Sequence, residues 1–175
     1  MVDLRRRTPP KKLKEILAIP GTSKFLDGLT DLAIPPGTNF HPPPGRRHEL
    51  RQMISTLSGL ALYAGNDGIG KWLIEDGQAH WFSKARVWLK RIGATRARAY
   101  LDEAAAAFPH GRIPKDDGKR ADLILESGEV GAGLHEIDRT YKDALDEMVE
   151  RLRIHIQQNF ELFRKELEDE ENRVV

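Results

Sequence analysis

The chain has no cysteine, which excludes disulfides, thiol nucleophiles, thiolate zinc sites and iron–sulfur clusters. No apolar run approaches the roughly 18 residues that read as a membrane-spanning helix. The basic residues Arg5, Arg6 and Arg7 are followed by Thr8-Pro9-Pro10-Lys11-Lys12, not by the apolar segment of a secretory signal. Alternation of apolar and polar residues long enough for a half-buried strand is missing throughout. Serines are few and none stands in a Gly-x-Ser-x-Gly elbow. Six histidines (His41, His48, His80, His110, His135 and His155) show no metal-ligand spacing. His135-Glu136 is an adjacent pair, and neighbours in sequence fall on different faces of a helix. The expectation is therefore an all-α cytoplasmic protein with no membrane span, no catalytic residue, no metal and no cofactor.

What is present suffices for one ordinary domain. At 175 residues, with 39% hydrophobic and 31% charged residues, the chain would bury about 70% of its unfolded surface. Its net charge of +1 hides an asymmetry: residues 1–120 carry an excess of +9 and residues 121–175 an excess of −8. Such a split supports a basic face for nucleic acid and an acidic face for a basic partner. It equally supports two sets of helices that attract each other within the fold.

Prolines punctuate residues 1–46, ending in Pro42-Pro43-Pro44-Gly45. Proline lacks an amide donor and pushes the preceding residue to extended backbone, so this stretch reads as a Pro-rich arm. It has room for short helices only around Lys11–Ile19 and Ser23–Leu32. The body, 47–160, reads as a set of helices. Leu50, Met53, Ile54, Leu57, Leu60 and Ala61 recur at three- and four-residue steps, as do Trp81, Ala85, Trp88, Leu89 and Ile92. Gly93 suits a helix C-terminus, Thr95 a cap for the next helix, and Pro109 a stop. Asp116 or Asp117 begins a short helix to Leu125, and Gly131-Ala132-Gly133 reads as a turn. From Leu134 to Leu167 the helical spacing is unbroken, longer than one globular helix, which predicts a break near Tyr141–Asp143 or a projecting end. The stripe is expected to dock as far as about Phe160, leaving 161–175 as an acidic tail.

Two segments invite a chemical reading. Gly65-Asn66-Asp67-Gly68-Ile69-Gly70-Lys71-Trp72 has P-loop spacing, but Trp72 stands where magnesium needs Ser or Thr, and a helix stands where a strand must precede. A glycine turn between helices fits better, with Gly68 at positive φ or against a neighbour that a β-carbon would strike. Lys84, Arg86, Lys90, Arg91, Arg96 and Arg98 interleave with Trp81, Trp88 and Tyr100, the raw material of single-strand binding. The aromatics fall on the apolar stripe, which favours the core as their place. A nucleic-acid module using Arg5–Lys14 and the Lys84–Arg98 cluster is the alternative reading.

Residues 66–115 and their sequel carry a resemblance. Asn66-Asp67-Gly68-Ile69-Gly70-Lys71-Trp72 resembles an Asn-Gly-Gly-Phe-x-Gln-Tyr/Phe segment. Ile92-Gly93-Ala94, Ala104, Phe108-Pro109, Gly111-Arg112-Ile113-Pro114-Lys115-Asp116 and Leu134-His135-Glu136-Ile137-Asp138 follow in order. Over about residues 48–158 the chain is similar to the bacterial DNA mimic protein 19 family, with Asp67 and Ile69 in place of the usual Gly and Phe. The resemblance implies an all-helical, non-enzymatic regulator or inhibitor that binds another protein, with a homodimer as one assembly. The partner would be a DNA-binding protein or a toxin. The implied partner-binding residues are Asn66, Asp67 and Gly68 with Asp143, Asp146, Glu147, Glu150 and Glu161.

Overall fold

Three- and four-residue apolar steps produce helices wherever they occur, and among the described residues there is no strand. The structure, a computed structural model, describes residues 12–34, 49–74 and 78–168, and the side chains of all of these except 78–80 and 168. Arg5 to Lys11, the prolines from Pro35 to Pro44 and the acids Asp169, Glu170 and Glu171 lie outside them. The order is α1 (Leu13–Leu17), α2 (Thr22–Ala33) and α3 (Glu49–Gly59), which runs through a π-helical turn (Leu60–Ala64) into α4 (Gly65–Asp67). After Gly68 come α5 (Ile69–Ile74), α6 (Gln78–Ile92) and α7 (Thr95–Ala106). A 3-10 turn (Pro109–Gly111) leads to α8 (Asp117–Leu125), α9 (Glu129–Thr140), α10 (Ala144–Gln158) and α11 (Phe160–Glu168).

Local signals set several of these boundaries. Gly93, at φ +74, closes α6. Its N–H donates to the Lys90 carbonyl and the Ala94 N–H to the Leu89 carbonyl, the paired bonds of a Schellman end. The Asp116 carboxylate accepts from the Lys119 N–H at 2.8 Å and caps α8. Thr95 does not cap α7: the cap position is Ala94, and Thr95 is already helical. Gly131 and Gly133 are not a turn but part of α9. A β-carbon on Gly131 would lie 2.5 Å from the Ile124 carbonyl oxygen. Glycine is there so that α8 and α9 can cross closely. The long C-terminal signal breaks twice, at Tyr141–Asp143 and at Asn159.

Helix α3 is the centre of the molecule. Every residue from Leu50 to Gly59 is buried, polar ones included, because α2, α6 and α11 pack around it. Sequence periodicity gave it one apolar face; the surrounding helices close over the other. Leu13, Ile16, Phe25, Leu29 and Leu32 from α1 and α2 join the same core as Met53, Leu57, Leu101, Met148 and Leu152. Phe163 and Leu167 are fully buried, so the C-terminal stripe docks beyond Phe160 through the end of α11.

Three arginines hold helix ends together. Arg51 on α3 donates to the Ala33 carbonyl at the end of α2 (3.1 Å) and to Glu166 and Leu167 at the end of α11 (3.1 and 3.0 Å). Arg120, fully buried, donates to the Leu73 carbonyl of α5 at 2.5 Å and to Pro114 at 3.0 Å, and pairs with Asp117. Arg153 donates to Leu17, Ile19 and Gly21 and lies over the Phe25 ring, fixing the α1–α2 connection. The last carbonyls of a helix lack partners and carry partial negative charge, which a guanidinium fork satisfies on both counts.

Candidate functional site

The turn singled out in the sequence is built around a carboxylate from another helix. The α3–π–α4 helix ends at Gly68, whose φ of +86 and ψ of 163 suit glycine alone. Its missing β-carbon makes room for Asp138 Oδ2. Asp138 Oδ1 accepts the Ile69 N–H at 2.9 Å and the Tyr100 hydroxyl. Asp138 thus caps α5 from α9, supplying the acceptor that the first turn of a helix lacks. Burial, with the Asp138 bond second, raises the Tyr100 hydroxyl well above its ordinary value. A second tyrosine repeats the motif nearer the surface: Tyr141 donates to Glu103 Oε1 at 2.5 Å, and the two rings lie 5.7 Å apart. The Glu103 bond is the main cause that raises Tyr141.

Asn66 and Asp67 stand exposed on the rim of this turn, with Gly68 half-buried behind them. The turn lies against the junction of α9 and α10, through Asp138 and through Leu145, whose Cδ1 is 3.7 Å from a β-carbon placed on Gly65. Asp143 and Asp146, both exposed, belong to that junction and the first turn of α10; Glu147 is half-buried and Glu150 exposed one turn on. Glu161 is exposed but on α11, beyond the whole of α10, about 22 Å of helix. The structure therefore gathers the turn and the start of α10 and leaves Glu161 apart. Glu147, Glu150 and Glu161 also face cations on their own helices: Arg151 at 4.0 Å, Arg153 at 3.6 Å and Arg164 at 2.8 Å.

Four of the six cations in the basic cluster make contacts within the fold, while Lys90 and Arg96 stand exposed. Trp81 and Trp88 are buried and stack on each other at 6.3 Å, so neither offers a free face to a base. Lys84 lies 4.5 Å over the Trp81 ring and donates to Gln52 at 3.4 Å. Arg86 and Arg98 share Asp102, and Arg91 pairs with Glu49 at 3.1 Å. In the P-loop-like segment Trp72 is fully buried and a helix precedes the turn.

Sequence reasoning missed Asp138 and Glu166. Glu166 Oε1 accepts the Leu50 and Arg51 N–H groups at 3.0 and 3.2 Å, capping α3 from α11. A signal for both was available. Asp138 is four residues after Leu134 and next to Ile137, and Glu166 is three after Phe163 and next to Leu167. Both acids ride the buried stripe rather than the wet face.

Among the described residues no group of three or more His, Asp or Glu could hold a metal ion, and no helix is long and apolar enough to cross a membrane. A sequence model of one family, described as DMP19-like protein, matches residues 49–159, more than half of the chain. No curated protein and no solved structure matches it.

Proposed function

The chain belongs to the DMP19-like protein family, and from that premise we propose that it is a non-enzymatic regulator or inhibitor that binds another protein through the start of α10 and the adjoining Asn66–Asp67 turn. The observation that carries the reading is the spacing of carboxylates there. Asp143, Asp146, Glu147 and Glu150 fall within eight residues on one side of α10 and its N-cap, about 10 Å along the axis. That is roughly one charge per 3 Å, close to the about 3.4 Å per phosphate along one strand of a duplex. A surface that binds nucleic acid through its phosphates would meet a comparable density here. Arg151 and Arg153 dilute the row toward the C-terminus, so the recognition end is Asp143–Asp146 with Asp67 beside it. The partner class is a DNA-binding protein, or a toxin with an equally basic face. Clustered charge of this kind mainly raises association rates and fades with salt.

Affinity capture with the intact chain from a lysate of its source organism tests the proposal. A stoichiometric protein that is released by added duplex DNA, and lost when Asp143, Asp146 and Glu150 are all changed to Lys, is the expected result. A captured toxin would resist DNA but still be lost with the reversed residues. Equal capture by parent and reversed protein at low salt removes this face as the interface.

A further inference from the structure

The break between α10 and α11 holds an imidazole that the fold does not satisfy. The carbonyl of His155 accepts both the N–H and the side-chain amide of Asn159, at 3.1 and 2.9 Å, so the residue is part of the joint itself. Its ring meets the ring of Phe163 at a centroid distance of 5.9 Å and an angle of 89°, and Phe163 is fully buried. His155 Nε2 is buried and has no hydrogen-bond partner.

We propose that α11 is a latch released by acid, with His155 as the proton acceptor. In the closed state the imidazole is half-buried, with Nε2 kept from water and without an acceptor for a proton placed there. Burial, and secondarily the like charge of Arg91, push its proton affinity below the ordinary histidine range. Arg91, from α6, is the charge that acts on the ring, and it is itself tied to Glu49 of α3 at 3.1 Å. Glu166 of α11 is turned to the α3 amides, Arg51 of α3 to the α11 carbonyls, and Arg153 of α10 to the α1–α2 connection. None of these supplies His155 Nε2 with a partner. Swinging α11 away removes Phe163 from the ring and returns the imidazole to water, where it takes up a proton near its usual pH of about 6.5. Opening therefore binds a proton that the closed state refuses, and acid favours it by linkage. The open population grows up to about tenfold per pH unit below about 6.5, until the closed histidine itself titrates.

Hydrogen exchange of residues 160–168 in the full chain, corrected for the intrinsic pH dependence of exchange, reads this directly. Between pH 7.5 and 5.5 protection in α11 is expected to fall by several-fold or more, while the α3 core holds. His155→Phe keeps an aromatic contact and cannot be protonated, so its α11 protection should be flat with pH. Glu166→Gln keeps an acceptor without an ionisable carboxyl, and should retain the parent's response. Flat protection in the parent, an unchanged fall in His155→Phe, or loss of the response in Glu166→Gln each overturns the proposal. Should His155→Phe fail to fold, the ring resonances of His155 in the parent decide: titration at or above pH 6.5 rejects the latch.

Discussion

The acidic C-terminal part of the chain spends its carboxylates in two opposite ways. On α9 and α11, Asp138 and Glu166 point inward and complete the first turns of α5 and α3. On α10, Asp143, Asp146 and Glu150 point into water and complete nothing in the described structure beyond the ion pair of Glu150. The excess of −8 in residues 121–175 is thus partly an internal device and partly an outward face. Composition cannot divide the two sets, since a carboxylate that accepts two backbone N–H groups and one that faces water count alike.

The difference is measurable, and the largest effect should come from Gly68→Val. Positive φ alone costs about 1–3 kcal/mol. The new β-carbon must also push Asp138 off the Ile69 N–H and Tyr100 hydroxyl, so a total of about 3–4 kcal/mol is expected in denaturant unfolding. Asp138→Ala, which orphans the same two donors without the backbone strain, should cost about 2 kcal/mol. In the Asp138→Ala background the valine should then cost less than it does alone. Strict additivity would show that the two residues do not share one interaction. Glu166→Ala removes a cap and should cost about 1–2 kcal/mol. Reversing Asp143, Asp146 and Glu150 to Lys should move the midpoint least, by about 1 kcal/mol in all, from the helix dipole at the start of α10. A reversal that unfolds the protein, or an Asp138→Ala as mild as a surface change, would erase the distinction between inward and outward acids.

The parts of this arrangement legible beforehand were those written locally. Helical spacing announced the all-α fold, Gly93 and Asp116 their helix ends, and Gly68 its positive φ, because each depends on a few adjacent residues. Gly131 and Gly133 were misread for the complementary reason. A glycine needed for a turn and one needed for close approach of a second helix look the same until the second helix is in place. Asp138 and Glu166 stood at stripe positions, yet their roles depend on amides 69 and 116 residues away. Arg51 likewise looks like a surface cation and is a clamp on two helix ends, which only the packing of α2 and α11 around α3 reveals.

That clamp has a temporal side. The amides that open α3 wait for a carboxylate made 116 residues later, and the Arg51 guanidinium waits for carbonyls of the same late turn. At a synthesis rate of about 5–20 residues per second, roughly 6–23 s separate the joining of Leu50 from that of Glu166, and the central helix is incompletely capped throughout. Contacts that close so long a loop also slow folding once the chain is whole. The nascent chain is thus expected to keep its most buried helix only partly settled until α11 has been made, and a stall between α3 and α11 would leave that helix waiting.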